Sequence, residues 1–293
     1  MADALRVEGA PPDLITCVHA AEVIREGEAP ALAIRHKRNS SIVVGTKLVK
    51  SGDADAFISA GSTGAVGAAA ATYLGMLPGM ERPTIGGGFS SFAPNVVVMD
   101  LGANVDCKPY QLLSFAIAGT VYARTVYGID RPTIGLLSTG AEEGKGNELV
   151  KETFGILKKS GLNFIGNIEG NDILKGKANV VICDGFIGNV LLKFYESVGD
   201  RARSWLMGKY PSMKGLVGSL FDRVVPIKKL SYEGEEEGSG ILWGVNGVVR
   251  VAHGACKADH IVHGINAARK AVQKDIVGSL TRELALYKAQ GIL

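Results

Sequence analysis

Short apolar runs that stop at a polar, glycine-bearing turn and lead into a helix-patterned stretch constrain this 293-residue chain more than any other feature. The clearest case is Ile134 to Leu137, which reads as a buried strand ending at S-T-G-A-E-E-G-K-G-N-E, Ser138 to Glu148. Leu149 to Leu157 then has helical periodicity, and Gly161 is placed to end that helix. Glycine lets the turn backbone approach a ligand closely, and the helix that follows offers free N–H groups and a positive dipole end. Lys145 adds a point charge for an anion. Taken alone, the same stretch also reads as an ordinary solvated strand-to-helix loop.

The pattern recurs. Ala56 to Ser59 is a short strand running into Ala60-Gly61-Ser62-Thr63-Gly64 and then the small-residue helix Ala65 to Leu77. Ser62 or Thr63 is placed to cap that helix, with both hydroxyls where an anion would sit. The turn matches neither a Walker loop nor the G-x-G-x-x-G spacing of a dinucleotide fingerprint. Asn95 to Asp100 ends in D-L-G-A-N-V-D-C-K-P, a cluster that Asx turns also explain, before a helix from Gln111 to Tyr127 closed by Gly128. Asn163 to Ile168 ends at Glu169 to Asp172. Asn179 to Cys183 ends at D-G-F-I-G-N, Asp184 to Asn189, and a long helix follows from Val190 to about Tyr210. Alternating strands and helices predict an α/β fold, a mostly parallel sheet flanked by helices. Ligands bind beyond the carboxyl ends of such strands, so Ser59, Asp100, Ser138 and Asp184 are expected along one edge.

The remaining stretches are less specific. The chain opens polar, with a short strand expected at Ile15 to Val18. A basic patch, Arg35-His36-Lys37-Arg38, precedes a helix running to Lys50. The patch is either a solvated face or a contact for an acidic partner or phosphate. Residues 212–230 interleave apolar and basic side chains as an amphipathic helical segment, suited to the core, to a dimer contact or to an anionic membrane surface. Ile241 to Ala252 reads as a strand pair bending at Gly244 to Gly247, and Asp259 to Lys274 as a closing helix. Cys256, His260 and His263 lie near one helical face, but three such groups with no clear fourth ligand read as helix surface rather than zinc.

The net charge of +3 implies no general nucleic-acid role, and no apolar run is long enough to span a bilayer. The N-terminus carries no basic flank before an apolar core, so no secretory signal is read. Four widely spaced cysteines, Cys17, Cys107, Cys183 and Cys256, fit a reduced, cytoplasmic setting. The length fits one α/β domain over 1–293.

Together these stretches resemble the PlsX family of phosphate acyltransferases. The matching residues are S-A-G-S-T-G-A at Ser59 to Ala65, D-L-G-A-N-V-D-C at Asp100 to Cys107 and G-L-L-S-T-G-A-E-E-G-K-G-N-E at Gly135 to Glu148. They continue with N-F-I-G-N-I-E-G at Asn163, C-D-G-F-I-G-N-V at Cys183, G-V-N-G-V-V at Gly244 and A-H-G at Ala252. Three departures stand out. The family's usual opening strand and turn are expected to be missing, Ser62 stands where the family has Asn, and Glu237 to Ile241 replaces a glycine-rich Y-G-G-A-P-like stretch.

The resemblance implies an isocitrate/isopropylmalate dehydrogenase-like fold with a helical excursion near 190–230. It implies transfer of a fatty acyl group from acyl carrier protein to inorganic phosphate, giving acyl phosphate for phospholipid synthesis. Phosphate is itself the nucleophile, so the protein must orient it and stabilise an oxyanion, and no metal or nucleotide cofactor is needed. The candidates for phosphate are the backbone at Gly61, Ser62, Thr63 and Gly64 and from Gly140 to Asn147, with Lys145. Asn104, Asn147, Asn189 and Asn246 are candidate donors to the thioester oxygen. Asp100, Asp106 and Asp184 are candidates for orienting these groups, and His253 for acid–base work. Ser59, Lys108 and Glu143 complete the expected substrate contacts. A homodimer and peripheral contact of 214–229 with the inner membrane face are also expected. The rival readings are a nicotinamide-dependent dehydrogenase and a non-catalytic lipid- or carrier-binding scaffold.

Overall fold

The computed structural model describes residues 14–90, 93–209, 239–252, 254 and 256–293. The chain begins with helices α1 (Pro30–His36) and α2 (Ser41–Ser51), strand β1 (Ala56–Ser59) and helix α3 (Thr63–Ala69), which runs on into a π turn at Ala70–Leu74. Next come β2 (Thr84–Ser90), β3 (Ala93–Met99), α4 (Pro109–Tyr127), β4 (Ile134–Leu137) and α5 (Glu148–Lys159). They are followed by β5 (Phe164–Ile168), α6 (Gly170–Ile173), β6 (Val180–Ile182) and α7 (Gly185–Lys209). The last described elements are β7 (Ser239–Trp243), β8 (Val248–Ala252), α8 (Ala258–Gln273) and α9 (Ile276–Ala289).

The described strands form one eight-stranded sheet in the order β1-β8-β7-β2-β3-β6-β4-β5. It is mixed, which corrects the expectation of a mostly parallel sheet. β3, β6, β4 and β5 run parallel, whereas β7 pairs antiparallel with both β8 and β2, and β2 antiparallel with β3. β2 is the strand the sequence pattern did not show. Its T-I-G-G-G-F-S composition carries little β propensity. Gly86 is nonetheless required there, because a Cβ would run into the Met99 side chain and the Val98 backbone. One consequence is directional. β1 runs parallel to β8 and so opposite to β3, which separates Ser59 from the shared strand edge of Asp100, Ser138 and Asp184.

Helices cover both faces. On one, α4 is enclosed continuously from Gln111 to Ala123, as a helix between a sheet and further helices must be. Leu113, Phe115 and Ile117 are wholly out of water, each contributing roughly 1.5–3 kcal/mol. α4 ends at Gly128 with φ 69°, a left-handed stop. The other face is covered by Ile42 and Val43 of α2, the small residues Ala65, Val66, Ala69 and Ala70, and Leu74. β3 reads as a continuous apolar run because Val96 to Met99 are buried by both layers.

Other expectations also shift. No strand forms at 15–18, and α8 is not the closing helix, because Asp275 turns the chain with φ 46° into α9. Residues 212–230, including the 214–229 segment, lie outside the described residues. No helix of the described residues is long and apolar enough to cross a membrane.

Candidate active site

The carboxyl ends of β3 and β6 are locked together. Asp100 N–H donates to the Cys183 carbonyl at 3.1 Å, and Cys183 N–H to the Met99 carbonyl at 2.8 Å. The buried Asp100 carboxylate organises the next turn. It accepts N–H groups from Gly102 (2.9 Å), Ala103 (2.8 Å) and Asn104 (2.9 Å), and the Asn104 side-chain amide at 2.6 Å. Burial holds its pKa above the ordinary carboxylate value, and the hydrogen bonds it accepts offset only part of that rise. Asn104 gives its second amide hydrogen to the Pro83 carbonyl at 2.8 Å. Both of its donors are therefore committed within the fold rather than aimed at a thioester oxygen.

Helix α7 begins directly on this turn. Gly185 N–H donates to the Asn104 carbonyl at 2.7 Å, and a Cβ on Gly185 would lie 2.7 Å from that oxygen. Gly188 lies against the Asp100 carbonyl with no space for a Cβ. Asp184 caps the helix, its Oδ1 accepting the Ile187 N–H at 2.8 Å. The D-G-F-I-G-N spacing thus has a packing cause, with two glycines one helical turn apart where α7 meets the Asp100 turn. Asn189 follows on the same helix, beside Gly102.

Above this junction lies a cleft of about 790 Å³ on the α2–α3 face of the sheet. The Gly61-Ser62-Thr63-Gly64 turn forms one wall and Asn189, Leu192, Lys193 and Glu196 of α7 another. Ile85, Leu101, Gly102, Gly240 and Val251 form the rest of its floor. The spacing 189, 192, 193 and 196 is one helical face, a periodicity that is visible in the sequence. Ser62 occupies the N-cap position of α3, but its side chain makes no capping bond, contrary to expectation. Ser59 stays local, its Oγ accepting the Gly61 N–H at 3.1 Å.

The Gly140 to Asn147 turn does not line this cleft. Asn147 caps α5 through Oδ1 and the Val150 N–H at 3.0 Å. Lys145 is exposed, its aliphatic stem packed over Gly140, and Glu143 pairs with Lys158 at 3.0 Å. Beneath the turn, Ser138 Oγ and Asn167 Oδ1 are buried with no hydrogen-bond partner. Ser138 follows β4, immediately beside β6, so the turn starts one strand from the Asp184 end. Asp106 and Lys108 are exposed, and the Lys108 N–H donates to Gln111 Oε1 at 2.9 Å at the start of α4. Asn246 is exposed in the β7–β8 turn, its N–H donating to the Gly75 carbonyl at 3.0 Å, outside the cleft lining. His253 lies outside the described residues.

Two thiols border the junction. Burial, with the charge of Asp100 second, pushes Cys107 up to about 12, and the same two causes raise Cys183 well above the ordinary thiol value. Cys256 and His260 reach the cleft rim, where His260 Nδ1 accepts the Lys257 N–H at 2.9 Å. Among the described residues no three metal-ligating groups gather.

The family described as fatty acid synthesis protein matches residues 5–278. The chain is 40% identical over 292 residues to a phosphate acyltransferase of Pelotomaculum thermopropionicum, covering 95% of the chain and 82% of that relative. It is 43% identical over 278 residues to the phosphate acyltransferase of Salinibacter ruber, covering 92% of the chain and 81% of the relative. Among solved structures it is similar in fold to the EutD phosphotransacetylase from Staphylococcus aureus, with TM-score 0.55 and 16% identity over 92% of this chain and 83% of that one. A phosphotransacetylase from Streptococcus pyogenes aligns with TM-score 0.51 and 18% identity over 86% of this chain and 70% of that one.

Proposed function

The chain belongs to the fatty acid synthesis protein family in which its curated relatives are phosphate acyltransferases, and on that premise we propose that it transfers an acyl group to inorganic phosphate. The donor in this reading is acyl carrier protein thioester, and the product is an acyl phosphate for phosphatidic acid synthesis. The observation that carries it is the cleft, where Ile24, Ile85, Leu101, Leu192 and Val251 offer an apolar lining and Gly61 to Gly64 a polar, glycine-bearing rim.

In the proposed reaction a phosphate oxygen attacks the thioester carbonyl carbon. The new C–O bond forms, the tetrahedral oxyanion collapses, and the C–S bond breaks to release the carrier thiol, which takes up a proton. Backbone N–H groups of the 61–64 turn and the Asn189 amide are the proposed donors to the oxyanion. Lys193, on the cleft wall, is the proposed cation for the reacting phosphate, and Lys145 with the 140–147 turn, one strand from the Asp184 end and outside the cleft lining, is proposed to gather phosphate on its way in. Asp100, Asn104 and Asp184 act by shaping the turn and the start of α7 rather than by contacting substrate. The 1–293 single domain, an isocitrate/isopropylmalate dehydrogenase-like fold, a homodimer and reversible membrane contact through 214–229 belong to the same proposal. Hydroxylamine trapping tests it. Measured above an enzyme-free control, which records the direct reaction of hydroxylamine with the thioester, the chain should add hydroxamate only when phosphate is present, and an enzyme-dependent gain without phosphate would refute the assignment.

A further inference from the structure

Residues 30–51 carry Arg35, Lys37, Arg38, Lys47 and Lys50, five of the chain's 32 Lys and Arg, and none of its 29 Asp and Glu. That excess alone is larger than the net charge of +3 on the whole chain. Arg35, His36 and Arg38 are exposed. Lys37 is held inward by Glu28 at 2.6 Å, so it fixes the turn after α1. Lys47 lies over the Tyr73 ring at 5.3 Å. One apolar side chain stands within this basic field. Leu32 is 56% exposed and sits one turn before Arg35 and His36, on the same helical face.

This face borders the cleft. Pro30, the first residue of α1, packs on Gly64, where a Cβ would lie 2.9 Å from its ring, and Tyr73 donates to the Ile34 carbonyl at 3.3 Å. Gly64 lines the cleft, as do Ile24 and Glu26 on the segment entering α1. We propose that the basic face of α1 and α2, centred on Leu32, Arg35 and Arg38, is the docking surface for an acidic helical carrier protein that presents the acyl thioester to the cleft. The proposal rests on the acyl-transfer reading above. Complementary charge steers such an encounter and sets its orientation, while Leu32 supplies the apolar contact. A membrane fits this face less well. α1 has only seven residues and, of its large apolar side chains, only Leu32 is exposed, whereas interfacial helices present a broad apolar stripe.

The test uses the full chain with Arg35→Glu and Arg38→Glu together, and Arg35→Gln with Arg38→Gln should the first pair fail to fold. Binding of fluorescently labelled acyl carrier protein is read directly by anisotropy, apart from turnover. The expected result is binding weakened at least about tenfold, a smaller salt dependence, and a KM for the carrier thioester raised by a similar factor with kcat and the KM for phosphate unchanged. Equal binding by wild type and variant overturns the proposal, and so does a wild type that does not bind the carrier at low salt. Loss of binding to anionic phosphatidylglycerol vesicles with carrier binding intact would assign the face to membrane instead. A wild type that binds the carrier through these residues yet makes no acyl phosphate would leave the docking surface standing and remove the transfer reaction.

Discussion

Gly188 packs against the carbonyl oxygen of Asp100 with no space for even one more carbon between them. The contact joins α7, which supplies one wall of the cleft, to the turn that supplies its floor. Gly188→Ala is therefore expected to push α7 outward and cost about 1–3 kcal/mol, the usual range for overpacking. Urea midpoints measure the stability, and acyl transfer should fall with it. Wild-type values for both would mean that the junction does not position the cleft.

Filling the cleft should discriminate by chain length. Leu192 lines it from α7. Leu192→Trp is expected to lower kcat/KM for long acyl donors at least about tenfold while short donors lose little, since a blocked apolar slot excludes only the groups that need it. Equal losses across chain lengths would place the acyl chain elsewhere.

The cysteines report on the same region. At pH 8 Cys107, with its thiol at about 12, and the buried Cys183 should resist iodoacetamide, whereas the exposed Cys17 should react. Cys256, at the cleft rim, should become slower to alkylate when a long-chain acyl ligand is bound. Peptide mass mapping reads all four sites, and fast labelling of Cys107 in the folded protein would contradict the described junction.

A pH effect follows from Asp172. Its hydrogen bond from Lys177, with the Glu169 backbone second, holds the carboxyl at about 2. The folded value lies below the ordinary one, so the stabilisation is full above about 4 and is lost as pH falls towards about 2. Lys177→Ala should lower the denaturant midpoint at pH 6, and the difference should vanish near pH 2. A difference independent of pH would point to packing instead of charge.

Much of the fold was legible because β3, β4, β5 and β6 are buried parallel strands with helical partners, and hydrophobic period reveals such units. β2 was hidden because three of its seven residues are glycine. Without β2 the reversal of β1 relative to β3 has no signal in the sequence, and Ser59 lies away from the edge that a parallel pattern predicts for it. The Asp100, Gly185 and Gly188 cluster was visible as a motif, but its meaning was not. Asp and Asn at a strand end look catalytic in sequence, whereas here they hold a turn and a helix start. Asn246 illustrates the same limit, since a hairpin turn has no sequence mark that says which neighbour it faces.

The most direct measurement of the central claim is a paired assay on acyl carrier protein thioester, following enzyme-dependent thiol release and acyl phosphate formed from radiolabelled phosphate together as phosphate is varied. The account predicts equal amounts of both products, saturable in phosphate, and a loss of at least about tenfold in Lys145→Ala and in Asn147→Ala with the fold intact. Thiol release without acyl phosphate, or rates indifferent to phosphate, would contradict it.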